Sequence, residues 1–221
     1  MNNAEKIKEY LNDETLDALV QNGRPFQELM MRYNCAMLEI KTKLDVLNNE
    51  FSLENDRNPF EAINCRIKTP QSIVNKMRRK GIEITVENIE KNLNDVAGIR
   101  VICSFIDDIY VLCEKLCLQD DITVVEIKDY ITKPKPNGYR SLHLILEIPI
   151  FLSKEKKPMR VEVQFRTIAM DFWASLEHKL KYKKNIGKAE EISAELKQCA
   201  EDINILDMKM QKIHNKIFNL S

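Results

Sequence analysis

The chain has 221 residues, 44% of them hydrophobic and 31% charged, and its 34 basic side chains balance its 34 acidic ones. That length allows one domain with a buried core plus helical appendages, and the even charge argues against a protein that coats nucleic acid. No apolar run approaches a membrane span, residues 1–21 hold no signal-peptide core, and the six cysteines lack paired C-x-x-C spacing, so the expectation is a cytoplasmic protein with no membrane partner and small, buried, reduced cysteines.

Locally the charges are uneven. Arg66, Lys68, Lys76, Arg78, Arg79 and Lys80 occur without an acid between them, residues 128–140 set four basic side chains against Asp129 alone, and Lys179, Lys181, Lys183, Lys184 and Lys188 form a third cluster. Each alone reads as a solvated face; converging, they would make a pocket for a multiply charged phosphate ligand.

In chain order, residues 1–24 form a polar helical segment anchored only by Ile7, Tyr10, Leu11 and Leu19. Phe26, Met30, Tyr33, Met37, Ile40, Leu44, Leu47 and Phe51 then alternate by four and three, the narrow seam of a long helix. Residues 60–68 read as a strand, and Thr69-Pro70 opens a short helix that carries Ser72 and Lys76 on one face before Gly81 closes it. Asp95 leads through Gly98 into a buried strand, where a carboxylate can hold a divalent ion or merely shape a turn. A helix capped by Asp107 runs to Cys117, and residues 121–130 form another strand.

Thr132 to Gly138, with two prolines and Asn-Gly, must be a loop. The strand after it turns Leu142, Leu144, Leu146 and Ile148 inward and His143 outward. Pro149 to Pro158 is the expected turn into an antiparallel partner, in which Val161, Val163 and Phe165 alternate with Glu162, Gln164 and Arg166. That polar row makes Glu162 the candidate centre of an active site. A helix over residues 168–182 offers Phe172, Trp173, Leu176 and Leu180 to pack under the sheet, and Gly187 ends the region. A last helix repeats the four-three seam with Ile192, Leu196, Cys199, Ile203, Leu206, Met210, Ile213 and Ile217. The two seams predict helix pairing, within the subunit and across an oligomer interface.

Together, Arg66-Ile67-Lys68 with Ser72 and Lys76, Asn94 to Arg100, Asn137 to His143, Glu162 to Thr167 and Ile168 to Lys179 resemble the RelA/SpoT-type (p)ppGpp synthetase domain, in the expected order over residues 25–185. The arrangement looks like a small alarmone synthetase. The resemblance implies an α+β fold, a mixed sheet of about five strands flanked by helices in the manner of nucleotidyltransferases, with long N- and C-terminal helices. Residues 1–24 would be a polar appendage and 186–221 an oligomerisation segment. The implied reaction moves the pyrophosphoryl group of ATP to the 3'-hydroxyl of GTP or GDP and releases AMP. With only His143, His178 and His214 in the chain and no His-Asp pair, the hydrolase activity of larger members is not implied.

By the same resemblance Asp95 and Glu162 hold Mg2+, and Glu162 also accepts or orients the proton of the attacking hydroxyl. Arg66 and Arg100 sandwich adenine, and Lys68, Ser72 and Lys76 grip phosphates. Tyr139 stacks on guanine, with Lys135, Asn137, His143 and Gln164 around the acceptor. Lys128, on the ATP side, stands where arginine is common in the family; it keeps the charge without the bidentate fork. The implied partners are ATP, GTP or GDP and further copies of the chain, a tetramer favoured, with an allosteric alarmone or single-stranded RNA left open. The competing readings are a nucleotidyltransferase and a non-catalytic RNA-binding or regulatory oligomer.

Overall fold

A computed structural model describes residues 23–54, 57–181 and 189–218. Most of the expected polar segment 1–24, the Gly187 stop, and Lys183, Lys184 and Lys188 of the third basic cluster lie outside the described residues.

Helix α1 (Arg24–Glu54) carries Pro25 in its first turn, where no intrahelical N–H is needed. Phe26, Leu29, Tyr33, Ala36, Ile40, Leu44 and Leu47 are buried. Residues such as Leu29, Ile40 and Leu44, fully withdrawn from water, each contribute about 1.5–3 kcal/mol to holding α1 in place. The seam lies mainly against strands β1 (Phe60–Ile67), β2 (Ala97–Cys103), β4 (Leu142–Phe151) and β5 (Lys156–Thr167), so within the chain it is used chiefly on the sheet.

The sheet is mixed, in the order β1-β2-β5-β4-β3, with β3 spanning Thr123–Asp129. Only β2 and β5 run parallel; the other neighbours are antiparallel. Alternation sorts the two faces. Ile99, Val101, Leu144, Leu146, Val161, Val163 and Phe165 are buried in the core with α1, α3 (Val86–Asn92) and α4 (Ile106–Cys117). The opposite face carries the polar row.

Helix α2 (Pro70–Lys80) forms as its sequence predicts: the Thr69 hydroxyl caps it by accepting from the Ser72 N–H, and Gly81 stops it at φ 65°, a left-handed conformation that glycine adopts without strain. Helix α3 was not expected. Its seven residues are too short for periodicity to show, but the Thr85 hydroxyl caps it and Ile89 anchors it.

Several expectations are corrected. Asp107 does not cap α4; the cap position is Phe105, whose N–H is taken by the Asp108 carboxylate at 3.0 Å. Residues 149–158 are not a turn, because β4 and β5 continue through Pro149↔Pro158 and only residues 152–155 reverse the chain. The prolines are tolerated because β3 pairs no further along β4 than Glu147, and β2 reaches β5 only at Glu162, leaving the missing N–H groups on free edges.

In α5 (Ile168–Lys181) Trp173 is buried, but Phe172, Leu176 and Leu180 are exposed. The predicted seam of α6 (Ala189–Phe218) is also offset. Ala200, Asp207 and Gln211 are buried against α4 and α5, whereas Leu206, Met210, Ile213 and Ile217 face outward. Among the cysteines Cys103 is buried, Cys65 and Cys199 are exposed, and all six are free. No helix among the described residues is long and apolar enough to cross a membrane.

Candidate active site

Register decides which side chains share the open face of the sheet. Arg66 sits opposite Gly98, Asn64 opposite Arg100, Gly98 beside Glu162, Arg100 beside Gln164, and His143 opposite both Gln164 and Lys128. A cleft of about 440 Å³ opens there, lined by Asn64, Arg66, Lys68, Asp95, Gly98, Arg100, Glu162 and Gln164 among others. Gly98 leaves its floor bare between Arg66 and Glu162: a Cβ at that position would meet backbone no closer than 3.8 Å, so the missing side chain serves the cleft and not the backbone. Arg66 and Arg100 are diagonal neighbours across an antiparallel pair, a relationship that spaces side chains by about 7–8 Å. Two stacking distances of roughly 3.5 Å fit that interval, so a planar base can lie between the two guanidiniums.

At the cleft's edge Asp95 Oδ2 accepts from Lys76 Nζ at 2.6 Å and pairs with Lys68 Nζ at 3.1 Å. Lys68 closes β1 and Lys76 projects from α2, so the strand-to-helix turn capped by Thr69 brings both to one carboxylate. Burial pushes the Asp95 carboxyl up, but the Lys76 hydrogen bond and the two ammonium charges outweigh it and hold the group below its ordinary value. Oδ1 of Asp95 is buried without a partner. Ser72 accepts from the Thr69 hydroxyl at 2.9 Å. It borders a second, wider cleft of about 1260 Å³, lined also by Arg66, Lys68, Asn75, Arg78, Arg79, His178 and Lys179. Arg66 and Lys68 belong to both clefts, which makes them one basic channel. The α2 cluster therefore meets Lys179, the one member of the third cluster that lines the channel among the described residues.

Glu162 is largely buried, and each of its oxygens has one partner. Oε2 accepts from Gln164 Nε2 at 2.7 Å, and His143 Nδ1 lies 3.3 Å from Oε1. Burial raises its carboxyl, and the imidazole and the Gln164 amide together bring it below its ordinary value. Both acids are thus ionised at neutral pH. No group of three or more His, Cys, Asp or Glu able to hold a metal occurs among the described residues. Asp95 and Glu162 still fit a magnesium-type ion, which binds through one or two carboxylates and completes its shell with phosphate oxygens and water, and the unpartnered Oδ1 of Asp95 supplies a free ligand atom.

The residues expected around the acceptor gather at the other end of the row. Tyr139 OH lies 2.8 Å from His143 Nε2 and accepts from Arg166 Nη2 at 2.7 Å. Lys135 Nζ sits over the rings of Tyr130 and Tyr139, 4.5 and 4.8 Å from their centroids, and its pKa is lowered, first by loss of hydration. Two expected residues are turned elsewhere. Asn137 donates to Glu177 Oε1 on α5 at 3.1 Å, and Lys128 pairs with Glu126 on its own strand at 2.8 Å.

Sequence reasoning gave Asp171 no role, and the structure puts it at a junction. Its Oδ1 takes Arg166 Nη1 at 2.9 Å and Arg100 Nη1 at 3.2 Å. Arg166, 5% exposed, is therefore a structural ion pair. The available signal was an acid in the first turn of a helix that follows directly on an arginine-bearing strand.

Residues 65–187 match a family profile described as a region found in RelA / SpoT proteins. The chain is 45% identical over 188 residues to GTP pyrophosphokinase YwaC of Bacillus subtilis, covering 85% of this chain and 90% of that one. It superimposes on small alarmone synthetase 1 of Bacillus subtilis bound to its product pppGpp with a TM-score of 0.80 and 37% identity, covering 87% of this chain and 97% of the other. The same synthetase bound to AMPCPP gives 0.74 and 34%, over 88% and 98%.

Proposed function

The chain belongs to the RelA/SpoT family and is a GTP pyrophosphokinase that makes (p)ppGpp, and from that premise we propose how its residues divide the work. ATP donates its β,γ-pyrophosphoryl group to the 3'-hydroxyl of GTP or GDP, and AMP leaves. The task is alignment, charge neutralisation and removal of one proton.

Arg66 and Arg100 hold adenine between their guanidinium planes. Lys68, Ser72 and Lys76 grip the phosphates, a role supported by their place on the basic channel; arriving phosphate charge competes with Asp95 for the two ammonium groups. Asp95 and Glu162 are the residues that would hold Mg2+, a role supported by the unpartnered Oδ1 of Asp95. An ion bound there offsets the charge of the transferring phosphates. Tyr139 receives guanine after Lys135 leaves its ring, while His143, Gln164 and Asn137 surround the acceptor, Asn137 exchanging Glu177 for the nucleotide. Lys128 serves the ATP side.

The carrying observation is the ionised Glu162, held by Gln164 and His143 between the cleft that carries Arg66 and Arg100 and the cluster around Tyr139. A carboxylate held below its ordinary value is a weak proton acceptor, so its first duty toward the 3'-hydroxyl is to orient it and lower the cost of its ionisation beside the ion. Mass spectrometry after mixing the protein with ATP, Mg2+ and GTP tests the reading: AMP plus a guanosine nucleotide carrying a 3'-pyrophosphate is expected. Inorganic pyrophosphate with an adenylated product would instead make it a nucleotidyltransferase.

We further assign residues 25–185 to the synthetase domain, residues 1–24 to an appendage, and residues 186–221 to an oligomerisation segment, with a tetramer favoured. Support comes from the outward stripe Leu206, Met210, Ile213 and Ile217 and from a mostly apolar groove of about 590 Å³ that Leu206 and Met210 share with Ile168 and Phe172. A second copy of the chain is its occupant. Free cysteines and nucleotide substrates suit the cytoplasm.

A further inference from the structure

The ATP-side arginine and the acceptor-side tyrosine are connected through one carboxylate oxygen. Asp171 Oδ1 receives Arg100 Nη1 at 3.2 Å and Arg166 Nη1 at 2.9 Å, and the other terminal nitrogen of Arg166 donates to Tyr139 OH at 2.7 Å and to Gln164 Oε1 at 3.0 Å. Gln164 in turn donates to Glu162. The two guanidiniums would otherwise repel each other in a partly dehydrated space, and neither Arg100 Nε nor Arg166 Nε has a partner, so each depends on its terminal nitrogens for orientation. The carboxylate approaches from the first turn of α5, on a rigid element, while both arginines stand on strands.

We propose that Asp171 is a positioning residue that holds Arg100 in the plane of the adenine site and, through Arg166, holds Tyr139 and Gln164 at the acceptor site, so that the two nucleotide subsites are energetically coupled. This rests on the reading of Arg100 as an adenine clamp. With Asp171 in place, ordering of Arg100 by ATP orders the Asp171–Arg166–Tyr139 chain before the acceptor arrives. Each nucleotide then binds better when the other is present.

The test measures binding of an α,β-methylene ATP analogue, which cannot release AMP, to the full chain with and without GDP. D171N should weaken analogue binding about tenfold or more, as loss of the charge of a half-buried ion pair does, and should abolish the enhancement by GDP expected of the unaltered protein. R100A should weaken it similarly, and D171N should add little in the R100A background. Should D171N fail to fold around an unpaired buried Arg166, R166M/D171N removes both partners, a change that buried pairs often tolerate, and still leaves Arg100 without its carboxylate; analogue affinity should fall as for D171N. Unchanged analogue affinity in R100A removes the adenine-clamp reading and this proposal with it. A loss in R100A with wild-type affinity and GDP enhancement in D171N, or in R166M/D171N, overturns the role of Asp171 alone, as does full additivity of R100A and D171N.

Discussion

Glu162 Oε1 faces His143 Nδ1 at 3.3 Å, a diagonal pair two residues out of register on the adjacent strands β5 and β4. The contact fixes the orientation of the imidazole. Tyr139 OH accepts from Arg166 and lies 2.8 Å from His143 Nε2, so the imidazole bridges the phenol on one side and the Glu162 carboxylate on the other. Arg166, Tyr139, His143 and Glu162 therefore form one connected series ending on the carboxylate.

E162Q tests the end of that series. The amide is nearly isosteric but neutral, so it should bind nucleotides and fold normally while losing the charge that the 3'-hydroxyl and the metal ion require. We expect kcat to fall by roughly 10³-fold or more, with affinity for a non-reacting ATP analogue changed by less than about threefold. Retention of most activity would remove Glu162 from the centre of the reaction.

How much of this was legible beforehand differs by residue. Glu162, Gln164 and Arg166 were readable because strand alternation is a local rule, and their hydrogen-bonded row follows from it. Asp95 was readable as an acid at a strand entrance, but not its two lysine partners, since Lys68 and Lys76 reach it only through the fold of the α2 turn. Asp171 was hidden because its partners lie on two strands and its own helix gave it no distinguishing period. The α6 seam misled for a related reason. Periodicity detects an apolar stripe without saying what covers it, and the face docked in the chain is set one residue away by Thr167, Asp107 and Phe105, which bind Asp207, Gln211 and His214.

Gly138 ties the acceptor loop to α6. Its φ of 88° suits glycine alone, and a Cβ there would lie 2.5 Å from Ala200 Cβ, while Arg140 Nη1 donates to both Gly138 O and Ala200 O at 3.3 Å. G138A combines left-handed strain with overpacking, each costing about 1–3 kcal/mol. The expected outcome is a lower Tm together with a rise of KM for GTP that exceeds the rise for ATP, because Tyr139 follows immediately. Equal rises for both substrates would mean that the loop does not position the acceptor.

The outward stripe of α6 predicts assembly. L206E/M210E places charges on side chains that are 58% and 48% exposed in a single chain, so the fold of one subunit should survive. An assembled interface would not tolerate them. Light scattering should show the unaltered protein as an oligomer and the variant as a smaller species with unchanged far-UV circular dichroism; a monomer at micromolar concentration for the unaltered chain would contradict the tetramer.

Asp207 offers a pH-dependent check on how α6 is held. Burial raises its carboxyl above the ordinary value, although the Thr167 hydroxyl donates to it at 2.6 Å. A carboxyl whose folded pKa exceeds its unfolded one favours folding most below the unfolded value, near 3.9, and loses that contribution as pH rises through the folded value. At pH 7.5, far above the unfolded value, the buried Asp207 carboxyl thus costs stability relative to a side chain that cannot ionise. D207N keeps an oxygen for Thr167 and cannot ionise. Its Tm should exceed that of the unaltered protein at pH 7.5, and the gap should close as pH falls toward 4. A variant less stable at pH 7.5, or a gap independent of pH, would show that the charged Thr167–Asp207 contact holds α6 more strongly than burial opposes it.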